Sequence, residues 1–399
     1  MTLTCGLAQA NTQIELQTYH AFPASNEQQH STNGTSTSAV RCIFEHLQMK
    51  PVIHVVTWRH ALAALTRGQT PGIFALEPNE KLAQIGTPSF PILLQKWMWF
   101  HTVPLSELPN KARVAVLADS NEQRWLEQQS FPLTLEVQAD SLSQMINLVQ
   151  AGRVDAFLAD YAQTVQHLKQ TFTPTGKLSH SFARYAPMHL YFSNHYLERY
   201  PELLGQFNSK IEHCIGDGFQ LSEFEQTILA DKFSDLFTTL TQDPHLLSAV
   251  KNSEQELHIG HLDVATLDQM WLQSENEDLA LRIINSKSSQ RLRSLTSLSD
   301  ELITEAIVSN QRGLGVGITR LTTDFWQGDE AKFINPSNAP EQLHLSDIDY
   351  DSSTRSFLVH ASKAMLDPES GEFIGSITLG INISALLEKQ AVFLFPAYQ

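Results

Sequence analysis

Asp160 ends the apolar run VDAFLAD (154–160). A carboxylate at the carboxyl end of a strand stands where open α/β sheets gather their ligands. It would act as a general acid or base only with a strongly raised pKa in a dry pocket. Ser120 and Asn121 follow the apolar run Val114 to Leu117 and open a helical stretch, with Gln123 three residues after Ser120 in a capping-box arrangement. Such a helix start offers N–H groups and the positive end of the helix dipole to an anion. A plain cap is the other reading of Ser120. Chemistry beyond binding lacks its parts. No G-x-S-x-G elbow occurs, and His213-Cys214 sits in a helical stretch with no orienting acid. The 16 histidines are scattered, without a paired i, i+4 motif around an acid. Gly313, Gly315 and Gly317 lie inside a strand pattern with no helix start after them, unlike a phosphate loop. The expectation is a non-enzymatic protein with no cofactor and no metal.

The composition agrees with a folded, acidic protein. The 399 residues are 42% hydrophobic and 18% charged, enough for two or three globular domains. A net charge of −16, from 43 acidic against 27 basic residues, repels phosphate backbones and anionic lipid, so nucleic acid is not an expected partner. No run approaches a membrane span. Ala8-Gln9-Ala10 has the small-x-small form of a signal-peptidase site. Residues 1–10 therefore read as the remnant of a signal peptide, which places the chain in the periplasm of a Gram-negative bacterium. Cys42 and Cys214 then share an oxidising compartment, either as one bridge or as two buried thiols.

The elements that must position these residues alternate between strand and helix up to about residue 235. IELQTY (14–19) reads as a strand, 36–48 as a helix with Val40, Ile43, Phe44 and Leu47 on one face, and VIHVVTW (52–58) as a strand. Leu142, Met145, Ile146 and Val149 share a further helix face that Gly152 ends, and Val154 to Ala159 return as a strand. Trp97 and Trp99 alternate on one strand face, as packing residues do. Repeated strand–helix–strand order means an α/β fold with mainly parallel sheets. Beyond a boundary near 235–243, a long helical stretch runs to about 300, with Leu262, Leu267, Met270, Trp271, Leu279 and Leu281 as its apolar positions. Strands at 305–310, 313–320, 355–366 and 372–383 follow, the last two joined by the turn at 367–371, giving an α+β second module. In it, Trp326, Asp324 and Asp329 either line a pocket or hold a loop by indole packing and Asp capping. Tyr350 and Arg355 flank the strand facing that loop.

The runs HVVTWRHALAALTRGQTPGIFA, TPSFPILLQKWMWF, RVAVLADSNEQRWL and LVQAGRVDAFLAD, in this order, resemble bacterial extracellular solute-binding proteins of family 3. The resemblance covers most of 13–230 and implies a two-lobed, type 2 periplasmic-binding-protein-like module over 11–235 that traps a ligand between its lobes. It implies that the Ser120-Asn121 turn holds a ligand carboxylate, that Asp160 pairs with an amino group, and that Ser89 stands in the S-x-P segment. Tyr19, Phe22 and Trp58, with Arg59 beside them, would form ligand-binding walls. The chain departs from the family where Leu82 replaces a clamping arginine, Pro71 and Gly72 end an altered glycine motif, and Asp119 stands for a glycine. TRLTTDFWQGDEAKF (319–333) and DPESGEFIGSITLGINIS (367–384) resemble PDC/Cache-type, PAS-like sensor domains over about 240–390. Together they imply a small-molecule binder that reports to, or delivers to, a membrane transporter or a sensor kinase. Two other readings are a degenerate interaction protein and a dehydratase-type enzyme on the same fold.

Overall fold

The computed structural model describes residues 12–19, 35–103, 112–128, 133–171, 178–215, 219–256, 262–272, 277–297, 299, 302–322, 324–351 and 356–392. Residues 1–10, Phe22 and Arg355 lie outside this set. The chain divides into one unit of residues 1–218 with 387–399 and a second of 219–386.

The first unit begins with β1 (Thr12–Tyr19), α1 (Thr35–His46), β2 (Met49–Val56), α2 (Trp58–Thr66), β3 (Gly72–Leu76), α3 (Glu80–Ile85), β4 (Gly86–Pro88) and β5 (Leu93–His101). It continues with β6 (Ala112–Leu117), α4 (Asn121–Gln128), β7 (Leu133–Ala139), α5 (Leu142–Gln150), β8 (Ala156–Asp160), α6 (Tyr161–Thr171) and β9 (Ser179–Ser193). Short helices α7 (Asn194–Arg199), α8 (Leu203–Asn208) and α9 (Ile211–Ile215) end it. The strands run β2-β1-β3-β9-β5-β8-β6-β7, with β4 beside β9.

Pairings to β1 and β6 are parallel, as the strand–helix alternation requires. β5 and β9 run antiparallel to their neighbours and join two lobes. The end of β9 pairs with β3 and β4 in the first lobe, and the rest of it pairs with β5 in the second. Each lobe has its own core: Ile14, Leu16, Phe44 and Phe207 in one, and Leu117, Met145, Ile146 and Phe157 in the other. Trp97 and Trp99 are both buried in one cluster, as their alternation predicts. Gly72 packs under β9, where a Cβ would stand 2.9 Å from the Tyr191 carbonyl.

The second unit contains α10 (Glu223–Thr241), α11 (Pro244–Glu256), α12 (Val264–Leu272), α13 (Glu277–Ile284) and α14 (Lys287–Thr296). Strands β10 (Ile303–Asn310), β11 (Gly315–Ile318), β12 (His344–Asp351), β13 (Ser356–Leu366) and β14 (Phe373–Asn382) follow, with α15 (Ala331–Asn338) between β11 and β12; α16 (Ile383–Val392) comes after β14, its residues from 387 on counting with the first unit. The sheet is antiparallel, in the order β11-β10-β14-β13-β12. Three expectations shift here. Among the described residues the helical stretch beyond 243 is four helices, α11 to α14, and Leu281 is 57% exposed while Leu267 and Leu279 are buried. The division falls at 218/219 rather than 235–243, because Leu229, Phe233, Phe237 and Leu240 bury one face of α10 in the second unit. Helix α15 and strand β12 form where the sequence showed only a loop and one strand edge.

Candidate functional site

Between the lobes of the first unit, helix α4 starts against β3. Ser120 is fully buried and its Oγ accepts the Gln123 N–H at 3.0 Å. The reciprocal arm of the cap lands one residue early: Gln123 Oε1 accepts from the Asp119 N–H at 2.8 Å. Asp119 itself has φ 58°, the left-handed conformation for which a glycine or a short polar residue is suited. Asn121 does not face open solvent. Its Nδ2 donates to the Ala75 carbonyl at 3.0 Å and its Oδ1 accepts the Glu77 N–H at 3.3 Å, tying the second lobe to the first. Ala75 sits at a bulge in β3 with φ 64°, a strained conformation for a residue with a Cβ, and its carbonyl is the one Asn121 holds.

Tyr19 and Trp58 come together as expected, with ring centroids 5.4 Å apart in an edge-on pair. The space they wall is taken by the chain's own Arg124. Its guanidinium lies 4.0 Å from the Trp58 ring centroid and 5.0 Å from that of Tyr19, and it donates to Tyr19 Oη, Asn121 Oδ1 and the Asp119 carbonyl at 2.8 Å each. A second guanidinium, Arg184, lies 5.4 Å from the Trp97 ring and 5.3 Å from the Trp125 ring, and ion-pairs with Glu77 at 2.7 Å. Arginine suits both places because its planar, weakly hydrated cation stacks on aromatic faces while donating in-plane.

Burial dominates the acids of this cleft. It lifts Glu77 to about 7 against the pull of Arg184 and Arg124. It lifts Glu122 to about 7, with the charge of Asp160 adding to the effect. Asp160 rises to about 6, although the Gln163 and Lys96 N–H groups donate to its carboxylate at 2.9 and 3.2 Å. Tyr19 is pushed up by burial and stays protonated.

The other sequence-selected residues scatter. Ser89 is buried at the hinge rather than in the cleft: its N–H donates to the Leu190 carbonyl at 2.8 Å and its Oγ accepts the Leu190 N–H at 3.1 Å. Arg59 is exposed on α2. Leu82 is buried in the first lobe's core in the same cluster as Tyr191 and takes no part in the cleft wall. In the second unit, Trp326 and Asp324 hold a loop. The Trp326 indole donates to the Arg312 carbonyl at 2.9 Å, its N–H donates to Asp268 Oδ1 at 2.9 Å, and Asp324 Oδ1 accepts from Gln327 at 3.0 Å. Asp329 is exposed before α15, and the Tyr350 ring lies tilted against that of Phe357 with centroids 5.3 Å apart.

Sequence reasoning missed Arg124, Arg184, Glu77 and Glu122. Arg124 was within reach, being one helical turn after Ser120 and so on the same face as the capped helix start. Glu77 follows the strand GIFAL directly. Arg184 carried no local signal.

Outward of the Arg124 box, an open cavity of about 740 Å³ remains between the lobes. Trp58, Asn79, Glu80 and Lys81 line it from the first lobe, and Asp119, Gln123, Arg124 and Glu127 from the second. No helix among the described residues is long and apolar enough to cross a membrane.

No family model and no curated protein sequence matches the chain. Solved structures similar to it include an ancestral arginine-binding protein bound to arginine, at 17% identity over 50% of this chain and 91% of that one, with a TM-score of 0.40. The VFT2 domain of BvgS from Bordetella pertussis, as a double mutant, gives 18% identity, 52% and 93% coverage and a TM-score of 0.41. The GluR0 ligand-binding core from Nostoc punctiforme in complex with L-glutamate gives 15%, 50% and 92%, and 0.40. The two-lobed α/β fold of the first unit rests on its strand order and paired hinge strands, independently of these likenesses.

Proposed function

We propose that the first unit is a periplasmic, non-enzymatic binder of a small solute carrying both charges, and that the chain reports or delivers this solute to a membrane partner, a transporter or a sensor kinase. The cavity between the lobes carries the reading. Its volume of about 740 Å³ is that of a small-molecule site, and both lobes contribute to its wall. Lys81 and Arg124 supply positive charge, Glu80 and Glu127 negative charge, and Trp58 an apolar face. A solute bridging them would hold the lobes together, which is the signal a partner can read. Binding fits better than catalysis because both Asp160 oxygens already accept backbone N–H groups. The antiparallel order β11-β10-β14-β13-β12 supports reading the second unit as a PAS-like, PDC/Cache-type sensor domain.

A thermal-shift screen of the full chain against amino acids, polyamines, small carboxylates and sugars tests this. A concentration-dependent rise that disappears in Lys81→Ala supports the reading and names the ligand class. The absence of any shift, with the protein folded, overturns it. That result would favour a second reading, an interaction module that has kept its fold and filled its own site. The Arg124 guanidinium between Tyr19 and Trp58 is the observation behind that alternative.

A further inference from the structure

Helices α1 and α9 lie side by side in the first lobe, and Cys42 on one is bonded to Cys214 on the other across 172 residues of sequence. The bond is not what brings the helices together. Ile43, Phe44, Phe207 and Ile211 are buried in one cluster, with the Phe44 and Phe207 rings 5.2 Å apart. The two sulfurs therefore remain neighbours when the bond is broken. His46 stands one helical turn after Cys42, on the same face of α1. One ligand atom from each of Cys42, His46 and Cys214 falls within 4.8 Å of the others. His46 is exposed and the sulfurs are half-buried, so the cluster has both a shielded side and a path for entry.

We propose that Cys42, His46 and Cys214 form a redox-gated site for a thiophilic d-block cation such as Zn²⁺. Two thiolates and an imidazole are a ligand set such ions prefer, with a fourth position left for water. In the oxidised protein each sulfur is bonded to the other, neither is a thiolate, and the set does not exist. A dithiol reductant opens it: thiol–disulfide exchange breaks the S–S bond, leaves two protein thiols and carries the dithiol away as its own disulfide. The cation then displaces the two thiol protons, forming two metal–sulfur bonds, while His46 binds through a neutral ring nitrogen. The covalent staple between α1 and α9 is exchanged for a coordinate one, and the lobe stays tied in both redox states.

The test uses the full chain, oxidised or reduced with a phosphine that does not compete as a thiolate, titrated anaerobically with Co²⁺. Reduced wild type should develop a saturable thiolate-to-cobalt charge-transfer band with the visible bands of tetrahedral Co²⁺. Oxidised protein and the Cys42→Ser, Cys214→Ser double variant should show neither. His46→Ala, a change at an exposed residue, should weaken binding by at least the roughly 10–100-fold that losing even an outer partner costs a metal site. Zn²⁺ should also recover the melting midpoint lost on reduction. Circular dichroism of each form separates loss of ligand from loss of fold. A reduced, folded wild type without the band, or a band with unchanged affinity in His46→Ala, overturns the proposal.

Discussion

The interlobe cleft of the first unit and the strand face around His360 in the second both hold a cation among its partners, by opposite means. In the cleft, Arg124 sits against two aromatic rings and neutral oxygens, and burial lifts the nearby acids Glu77 and Glu122. On the second sheet, the His360 ring lies between two carboxylates, Glu305 Oε1 at 3.1 Å and Asp349 Oδ2 at 3.3 Å. Burial alone would lower His360, but the bonds to Asp349 and Glu305 raise it to about 9, while the bond from His360 lowers Glu305. A guanidinium keeps its charge at any working pH, whereas an imidazolium depends on its neighbours. The lesson is that the cleft's cation is a fixed part of its wall, and the sheet's cation is conditional.

The largest effect should come from breaking the conditional site. His360→Ala leaves the largely buried Glu305 without its partner, while Asp349 stays open to solvent, and should cost about 3 kcal/mol in denaturant unfolding. It should also remove a pH dependence. The stability His360 contributes is fully present below its unfolded pKa of 6.5 and is lost as pH rises through about 9. Glu305, held low, contributes stability that is lost as pH falls. In the first unit the sign is the same as for His360, but the window lies lower. Glu77 and Glu122, with folded pKa values of about 7 against 4.5, keep protons that the unfolded chain has released, so stability falls as pH rises across that interval. Hydrogen exchange at Val114–Leu117 and at Ile377–Ile381 across the pH range should show two separate declines. A single shared decline would erase the comparison.

Arg124→Ala should empty the aromatic box at a cost of about 2 kcal/mol, from two cation–π contacts and their hydrogen bonds. Added methylguanidinium should then raise the melting midpoint of the variant and leave wild type unmoved. Equal response in both would mean that the box is not where the cation binds. Ser120→Ala removes the α4 cap and should cost about 1 kcal/mol by chemical denaturation. The smallest effect is a gain: Ala75→Gly relieves the left-handed bulge and should stabilise by up to about 1 kcal/mol, provided the Asn121 bond is kept. A loss of stability there would show that the bulge is not strained.

Much of the frame was legible because periodicity reports local burial. The α5 face of Leu142, Met145, Ile146 and Val149 is buried as read, and Asp367 opens the β13–β14 turn by accepting the Glu369 and Ser370 N–H groups. The cap at Ser120 was legible, while its reciprocal arm was not, since the chain turns at Asp119 before the helix begins. Tyr19 and Trp58 were legible as a pair, but their occupant was not. Pocket and packing residues share one composition, and only the chain path decides which side chain fills a space.

The amino-acid order by itself determined the strand–helix alternation, the two-module plan and the aromatic and acidic residues available to a cleft, because each depends on neighbours within a few turns or strands. The tertiary structure alone decided that Cys42 meets Cys214, that Glu77 meets Arg184, and that Arg124 closes the box of Tyr19 and Trp58. Those contacts join residues between 66 and 172 positions apart, counting from Trp58 to Arg124 and from Cys42 to Cys214. Contacts at that range are fixed by how distant segments pack within a lobe and across the hinge strands, and no local pattern encodes that.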